Sequence, residues 1–81
     1  MNFSKLGLQS ETFLLMTRVF AALRRTGRLV DMVYFQENAE YAIAILHTAD
    51  HLHDAEISKV VARLREQLRP FLNSGMSSIA A

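Results

Sequence analysis

Apolar side chains recur every three or four residues in each long segment of this chain, which is the period of an amphipathic helix. Sustained alternation of apolar and polar residues, the mark of a half-buried strand, does not occur. The pattern therefore predicts an all-α fold. Three helices are expected, packed as a three-helix bundle or as a helical hairpin plus an N-terminal helix. Their predicted ranges are 10–26, 28–51 and 54–69, with Asp31 as an alternative start of the second helix. The apolar arc of the second helix is expected to include Ala42, Ile45, Leu46 and Ala49. The third helix is expected to begin with Asp54 as its N-cap and to have one apolar face, which includes Ile57, Val60, Val61 and Leu64.

The expected helix boundaries come from the few residues that start or stop helices. Ser10 is expected to cap the first helix, and Gly27 to end it in a left-handed conformation. Pro70 disfavours helical backbone at the residue before it, so the third helix should stop or kink there. Residues 1–72 are expected to form a single domain, and residues 73–81 a mobile C-terminal tail.

Two interpretations of residues 28–69 stay open in the sequence. No glycine or proline lies between these positions and the apolar register continues across them, so a single helix of about 40 residues is one alternative. That helix would require a dimer to cover its apolar faces. The other interpretation places a turn at the polar cluster of Asp50, His51, His53 and Asp54. The turn is favoured because it allows a compact bundle.

The first helix has more apolar surface than one neighbouring helix can cover. Two adjacent apolar stripes run along it, and arginines occupy the remaining arc. We expect this face to form a homodimer interface, although burial in the core of the same chain is the alternative for each residue. The candidate interface residues are Phe13, Leu15, Met16, Val19, Phe20 and Leu23.

The composition narrows the classes of protein that the chain can represent. It has 81 residues, of which 51% are apolar, and no cysteine. So short a chain buries only about 60–65% of its unfolded surface, which favours self-association. The lack of cysteine excludes disulfides and thiolate metal sites. No segment resembles a signal peptide or a membrane span, so we expect a cytoplasmic protein without a membrane partner.

Charged residues are segregated along the chain. The net charge is +4 over residues 1–28, −6 over residues 29–58 and +3 over residues 59–81. The favoured interpretation is an acidic middle helix whose seams bring opposite charges together. The alternative is a nucleic-acid site that contains Arg24, Arg25, Arg28 and Arg63. Nucleic acid is disfavoured as a partner because phosphates would repel the acidic segment after Arg28, and because the pI is only about 8.2.

Two histidines offer a weak candidate for metal binding, and a metal-responsive regulator is the second alternative function. His47 and His51 are four residues apart, a spacing that can bring two imidazoles to one ion on a helix. Residues 48–50 lack the glutamate of the zinc metalloprotease motif, and the pair lies on the polar face of the second helix. We therefore expect an exposed polar face, without a resident metal or another cofactor.

The sequence favours a small, non-catalytic interaction module. No glycine-rich phosphate loop or serine nucleophile elbow occurs, and the paired glutamates Glu37 and Glu40 have no predicted pocket around them. Enzyme activity is therefore not expected. The predicted role is that of an adaptor, regulator or assembly chaperone. Its expected partners are a second copy of the chain and another protein.

Overall fold

Five helices follow one another in a computed structural model that describes the backbone of residues 10–80 and the side chains of residues 10–74. No strand occurs over residues 10–80, which confirms the all-α prediction. The helices outnumber the three that were expected, because the predicted second helix is broken and another helix follows the third. They are α1 (Ser10–Arg25), α2 (Met32–Glu37), α3 (Ala39–Asp50), α4 (Ala55–Gln67) and α5 (Arg69–Ala80).

The end of α1 confirms the prediction for Gly27, whose φ is 87°. The Arg28 N–H donates to the Leu23 carbonyl at 3.0 Å, and the Gly27 N–H donates to the Arg24 carbonyl at 2.9 Å. These two bonds form a Schellman motif, which satisfies carbonyls that have no partner within the helix. The motif turns the chain away from α1, so the second helix cannot start at residue 28.

Gly27→Ala should lower the free energy of unfolding by about 1 kcal/mol, because an L side chain is strained at this φ. A Cβ at this position meets nothing within 4 Å, so crowding adds nothing to the effect. Gly27→Asn is the matched control and should lose less, since asparagine adopts left-handed backbone more readily. Urea unfolding measures the free energy of unfolding of wild type and of both variants. Equal stability of Gly27→Ala and wild type would contradict the assigned conformation.

The predicted second helix, residues 28–51, is wrong in its start at Arg28 and in its continuity, whereas the alternative start at Asp31 agrees with the structure. It begins at Met32, after Asp31 caps the first turn, and it is interrupted at Asn38. Asn38 has extended backbone, with φ −132°, and its side chain accepts a hydrogen bond from the Tyr41 N–H at 2.8 Å. One asparagine thus ends α2 and caps α3. Its side chain competes with helical hydrogen bonding, which breaks the helix without glycine or proline.

The turn expected near residues 51–54 is confirmed, and the single long helix over residues 28–69 is wrong. α3 ends at Asp50 and α4 begins at Ala55. Between them, His53 has φ 58°, in the left-handed region. Asp54 then accepts hydrogen bonds from two N–H groups in the first turn of α4, at 3.0 and 3.2 Å. This cap favours a new helix in a new direction.

The third predicted helix ends close to its expected boundary. α4 stops at Gln67 and α5 begins at Arg69. Pro70 lies in the first turn of α5. Backbone N–H groups in the first turn have no acceptor within the helix, so the N–H that proline lacks costs no helical hydrogen bond. Residues 73–80, which were expected to belong to a tail, are part of this helix. The mobility of the tail stays a prediction, and its side chains beyond Ser74 lie outside the described residues.

The helix α3 is central to the fold, because it contacts each of the other four helices. α1 also packs on α4, and α5 on α4. The buried faces of α3 and α4 agree with the predicted apolar stripes. Their buried residues are Ala42, Ile45, Leu46 and Ala49 in α3, and Ile57, Val60, Val61 and Leu64 in α4. Ala42 and Ala49 are small, so neighbouring helices can approach α3 closely.

Candidate functional site

The structure divides the six α1 residues that were expected to form an interface into two groups. Three have no exposed surface, because α3 and α4 cover that side of the helix: Met16, Val19 and Leu23. Three are half-buried at the margin of the core: Phe13, Leu15 and Phe20. The first group is core in the folded monomer, so only the second group borders a surface that a partner can reach.

A groove of about 390 Å³ runs between the exposed face of α1 and the start of α2. The Thr17 hydroxyl in its wall already donates to the Leu14 carbonyl at 2.7 Å, so it needs no partner from another molecule. Two arginines border the groove and the other lining side chains are largely apolar. The residues that line this α1–α2 groove are Thr17, Phe20, Ala21, Arg24, Arg25 and Met32.

Aromatic contacts hold α2 beside α1. Phe35 is the buried residue of α2. Its ring and the ring of Phe20 form a T-shaped pair with centroids 5.1 Å apart. The Tyr41 hydroxyl of α3 accepts a hydrogen bond from the Asp31 N–H at 3.1 Å. These contacts anchor both ends of the short α2 segment, and they place Met32 in the wall of the groove.

Large apolar side chains are exposed next to the groove residues. Leu14 lies one turn before Thr17 on the same face of α1, and Leu29 and Val33 flank Met32 in sequence. Leu14 is 59% exposed, Leu29 81% and Val33 61%. A single exposed leucine is ordinary, but a group of apolar side chains beside a groove is typical of an interaction surface. Sequence analysis missed Leu29 and Val33 because it assigned residues 28–51 to one continuous helix, and it missed Leu14 because that residue lies outside the two apolar stripes of α1.

The four arginines considered as a nucleic-acid site are not brought together. Arg24, Arg25 and Arg28 are exposed at the carboxyl end of α1. Arg63 of α4 instead pairs with Glu11 near the amino end of α1, with 3.1 Å between guanidinium nitrogen and carboxylate oxygen. Glu11 and Arg24 are about 20 Å apart along the helix axis. Three of the arginines therefore share one end of α1, and the fourth lies at the other end.

Glu11 links α1 to α4 through its carboxylate. Besides the Arg63 pair, it accepts a hydrogen bond from Gln67 Nε2 at 2.8 Å, and Gln67 Oε1 accepts from the buried Thr12 hydroxyl. The hydrogen bond from Arg63, then that from Gln67 and the charge of Arg63, lower the pKa of Glu11 below its ordinary value. These groups satisfy one another, so the network joins two helices and is not a ligand site.

The two candidate metal-binding histidines lie one turn apart on the exposed side of α3. The centroids of the His47 and His51 rings are 4.3 Å apart. The His51 Nδ1 lies 2.8 Å from the His47 carbonyl oxygen. Within the part of the chain that the structure describes, no group of three or more His, Asp or Glu side chains could hold a metal ion. Within those residues, the pair has no third His, Asp or Glu side chain to complete a metal site.

A second groove, of about 480 Å³, lies along α3, α4 and α5. Ile43, Leu46 and Leu72 contribute apolar surface to it. Its arginines already have acidic partners: Arg65 pairs with Asp50 across α3 and α4 at 3.4 Å, and Arg69 pairs with Glu66. The sequence could not reveal this groove, because α5 was not predicted. The Arg65 pair does agree with the expectation that opposite charges meet between neighbouring helices.

Comparison with protein-family models, with curated proteins and with solved structures finds no match to this chain. No helix in the described part of the chain has the length and apolar character needed to cross a membrane.

Proposed function

We propose that this chain is a non-catalytic helical interaction module whose α1–α2 groove binds a second copy of the same chain. The resulting homodimer acts on another protein as an adaptor, regulator or assembly chaperone. One observation above all supports the proposal: Leu14, Leu29 and Val33 are 59–81% exposed, and each lies within three positions of a residue that lines the groove. Burying a leucine or valine side chain completely is worth about 1.5–3 kcal/mol, so this surface favours association.

The position of the groove refines the interface that the sequence suggested. Phe20 belongs both to the sequence-based candidates and to the groove, whereas Met16, Val19 and Leu23 are committed to the core. A symmetric dimer uses the same patch on both copies, so each exposed apolar residue of the patch is buried in both subunits. We therefore place the groove at the centre of the proposed interface.

Charge complementarity favours a second copy as the occupant. Arg24, Arg25 and Arg28 are exposed at one end of the groove, while residues 29–58 contain six acidic residues and no lysine or arginine. A second copy thus brings acidic groups, such as the exposed Glu40, that can face these arginines. A net charge of +1 imposes little repulsion between two copies.

Light scattering after gel filtration tests the homodimer. Wild type should have about twice the monomer mass of 9.2 kDa at micromolar concentrations. Val33→Glu should be monomeric with unchanged circular dichroism, because Val33 is exposed in the monomer and its replacement leaves the core intact. Ala62→Glu is the matched control: Ala62 is an exposed residue of α4, a helix that contributes no residue to the groove, and this variant should stay dimeric.

Two results would overturn the homodimer. One is a wild type that stays monomeric from micromolar to millimolar concentrations. The other is an equal loss of dimer in Val33→Glu and Ala62→Glu, since the effect would then come from added negative charge rather than from the groove.

A further inference from the structure

We propose that His47 and His51 form a two-histidine site for a divalent transition-metal ion of the class that imidazole prefers, Cu²⁺, Ni²⁺ or Zn²⁺. His47 lies in the last turn of α3 and His51, four positions later, is the residue that caps its carboxyl end; their ring centroids are 4.3 Å apart. Both residues are exposed, so an ion can reach the rings from solvent. The proposal does not depend on how the α1–α2 groove is used.

The end of α3 prepares His51 to act as a ligand. At the end of α3, the backbone N–H of His51 donates to the carbonyls of Thr48 and Ala49. It therefore does not donate to the carbonyl of His47, which would be its acceptor in a regular helix. Carbonyls in the last turn of a helix commonly lack a backbone donor. The His51 ring fills this gap, with Nδ1 2.8 Å from the His47 carbonyl oxygen.

This hydrogen bond determines which ring nitrogen is free. A carbonyl oxygen only accepts, so the His51 Nδ1 must carry the proton and donate it. In the neutral ring the Nε2 lone pair is then available for a metal ion. Histidines that bind metals generally donate their other ring N–H to a carbonyl or a carboxylate, which fixes the ring before the ion arrives. The His51 ring is thus held in the tautomer that a ligand needs.

The surroundings of the pair also favour a cation. Both histidines lie at the carboxyl end of α3, where the helix dipole attracts positive charge. Asp50, the nearest carboxylate in sequence, is engaged by Arg65 at 3.4 Å. The two imidazoles are therefore the protein ligands, and water completes the coordination shell. Such a site is expected to bind a metal ion reversibly and with moderate affinity.

Calorimetric titration of the untagged protein with NiCl₂ and with ZnCl₂, in a buffer that does not bind metals, tests the site. Wild type should bind one ion per chain. His47→Ala and His51→Ala should each weaken binding by at least about tenfold, since loss of a ligand costs no less than loss of its supporting hydrogen bond. His53→Asn is the matched control. It removes the neighbouring exposed histidine, keeps a residue suited to φ 58°, and should bind like wild type.

A spectroscopic measurement separates ligation from a purely structural role. In long-range ¹H–¹⁵N spectra, ZnCl₂ should shift the Nε2 resonance of His51 while Nδ1 stays protonated, and circular dichroism should show unchanged helicity in each variant. Unweakened binding by either alanine variant would overturn the proposal. So would an equal loss in His53→Asn, or the absence of any Zn²⁺-dependent shift at His51.

Discussion

Phe35→Ala should lower the free energy of unfolding by about 3–5 kcal/mol. The side chain has no exposed surface and is the buried residue through which the six-residue α2 reaches the core. Its removal leaves a cavity and also ends the T-shaped contact with Phe20, itself worth about 0.5–1.5 kcal/mol. A domain of 81 residues is stable by only about 4–12 kcal/mol, so this loss is a large part of the total.

Urea unfolding followed by circular dichroism measures the effect, with Val33→Ala as the control. Val33 lies in the same helix but is 61% exposed, so its replacement should change stability by no more than about 0.5 kcal/mol. Both measurements are best made at low protein concentration, where any dimer is dissociated. Similar losses in the two variants would show that Phe35 does not anchor α2 to the core.

Met16→Ala should lower the free energy of unfolding by about 2–5 kcal/mol, the second large effect that the structure predicts. Met16 has no exposed surface, because α1 packs on α3 and α4 over that face. The loss combines two contributions: the free energy no longer gained by burying the removed atoms, and the cost of the cavity that remains. Because Met16 is buried within one chain, this loss should be the same at low and high protein concentration.

Leu14→Ala is the matched control for Met16→Ala. Leu14 and Met16 are two positions apart in α1. Leu14, however, is 59% exposed and lies on the side of the helix opposite the core. In the dissociated monomer its replacement should cost no more than about 0.5 kcal/mol. If instead the Met16→Ala loss vanished on dilution, Met16 would belong to an interface between chains, as the sequence first suggested for it.

The apolar stripes of α3 and α4 show how far sequence reasoning reaches. Ile57, Val60, Val61 and Leu64 were expected on one face, and all four are buried. Asp54 was expected to cap this helix, and it does. These predictions succeed because helical periodicity and capping depend on residues within a few positions of one another.

The candidate sites depended on helix ends and hydrogen bonds that the sequence pattern did not reveal. Asn38 breaks the predicted second helix through its side-chain hydrogen bond, although many asparagines lie within helices or on their surfaces. The contacts of α2 with its neighbours then place Met32 in the wall of a groove with Phe20 and Arg24. In the same way, the hydrogen bond from His51 to the His47 carbonyl depends on α3 ending where it does. The spacing of the histidines was visible in the sequence, but the hydrogen bond that fixes the His51 ring was not.

The sequence by itself determined that the protein is helical, that α1 ends just before Gly27, and that α4 begins after Asp54. Each of these features follows from local backbone preferences and hydrogen bonds. Only the tertiary structure decided which apolar residues of α1 are core and which border a groove. Met16 and Phe20 have the same apolar character, and their exposure differs because α3 and α4 cover one side of the helix and leave the other side partly open. Burial is a property of the assembled helices, so no local pattern could assign it.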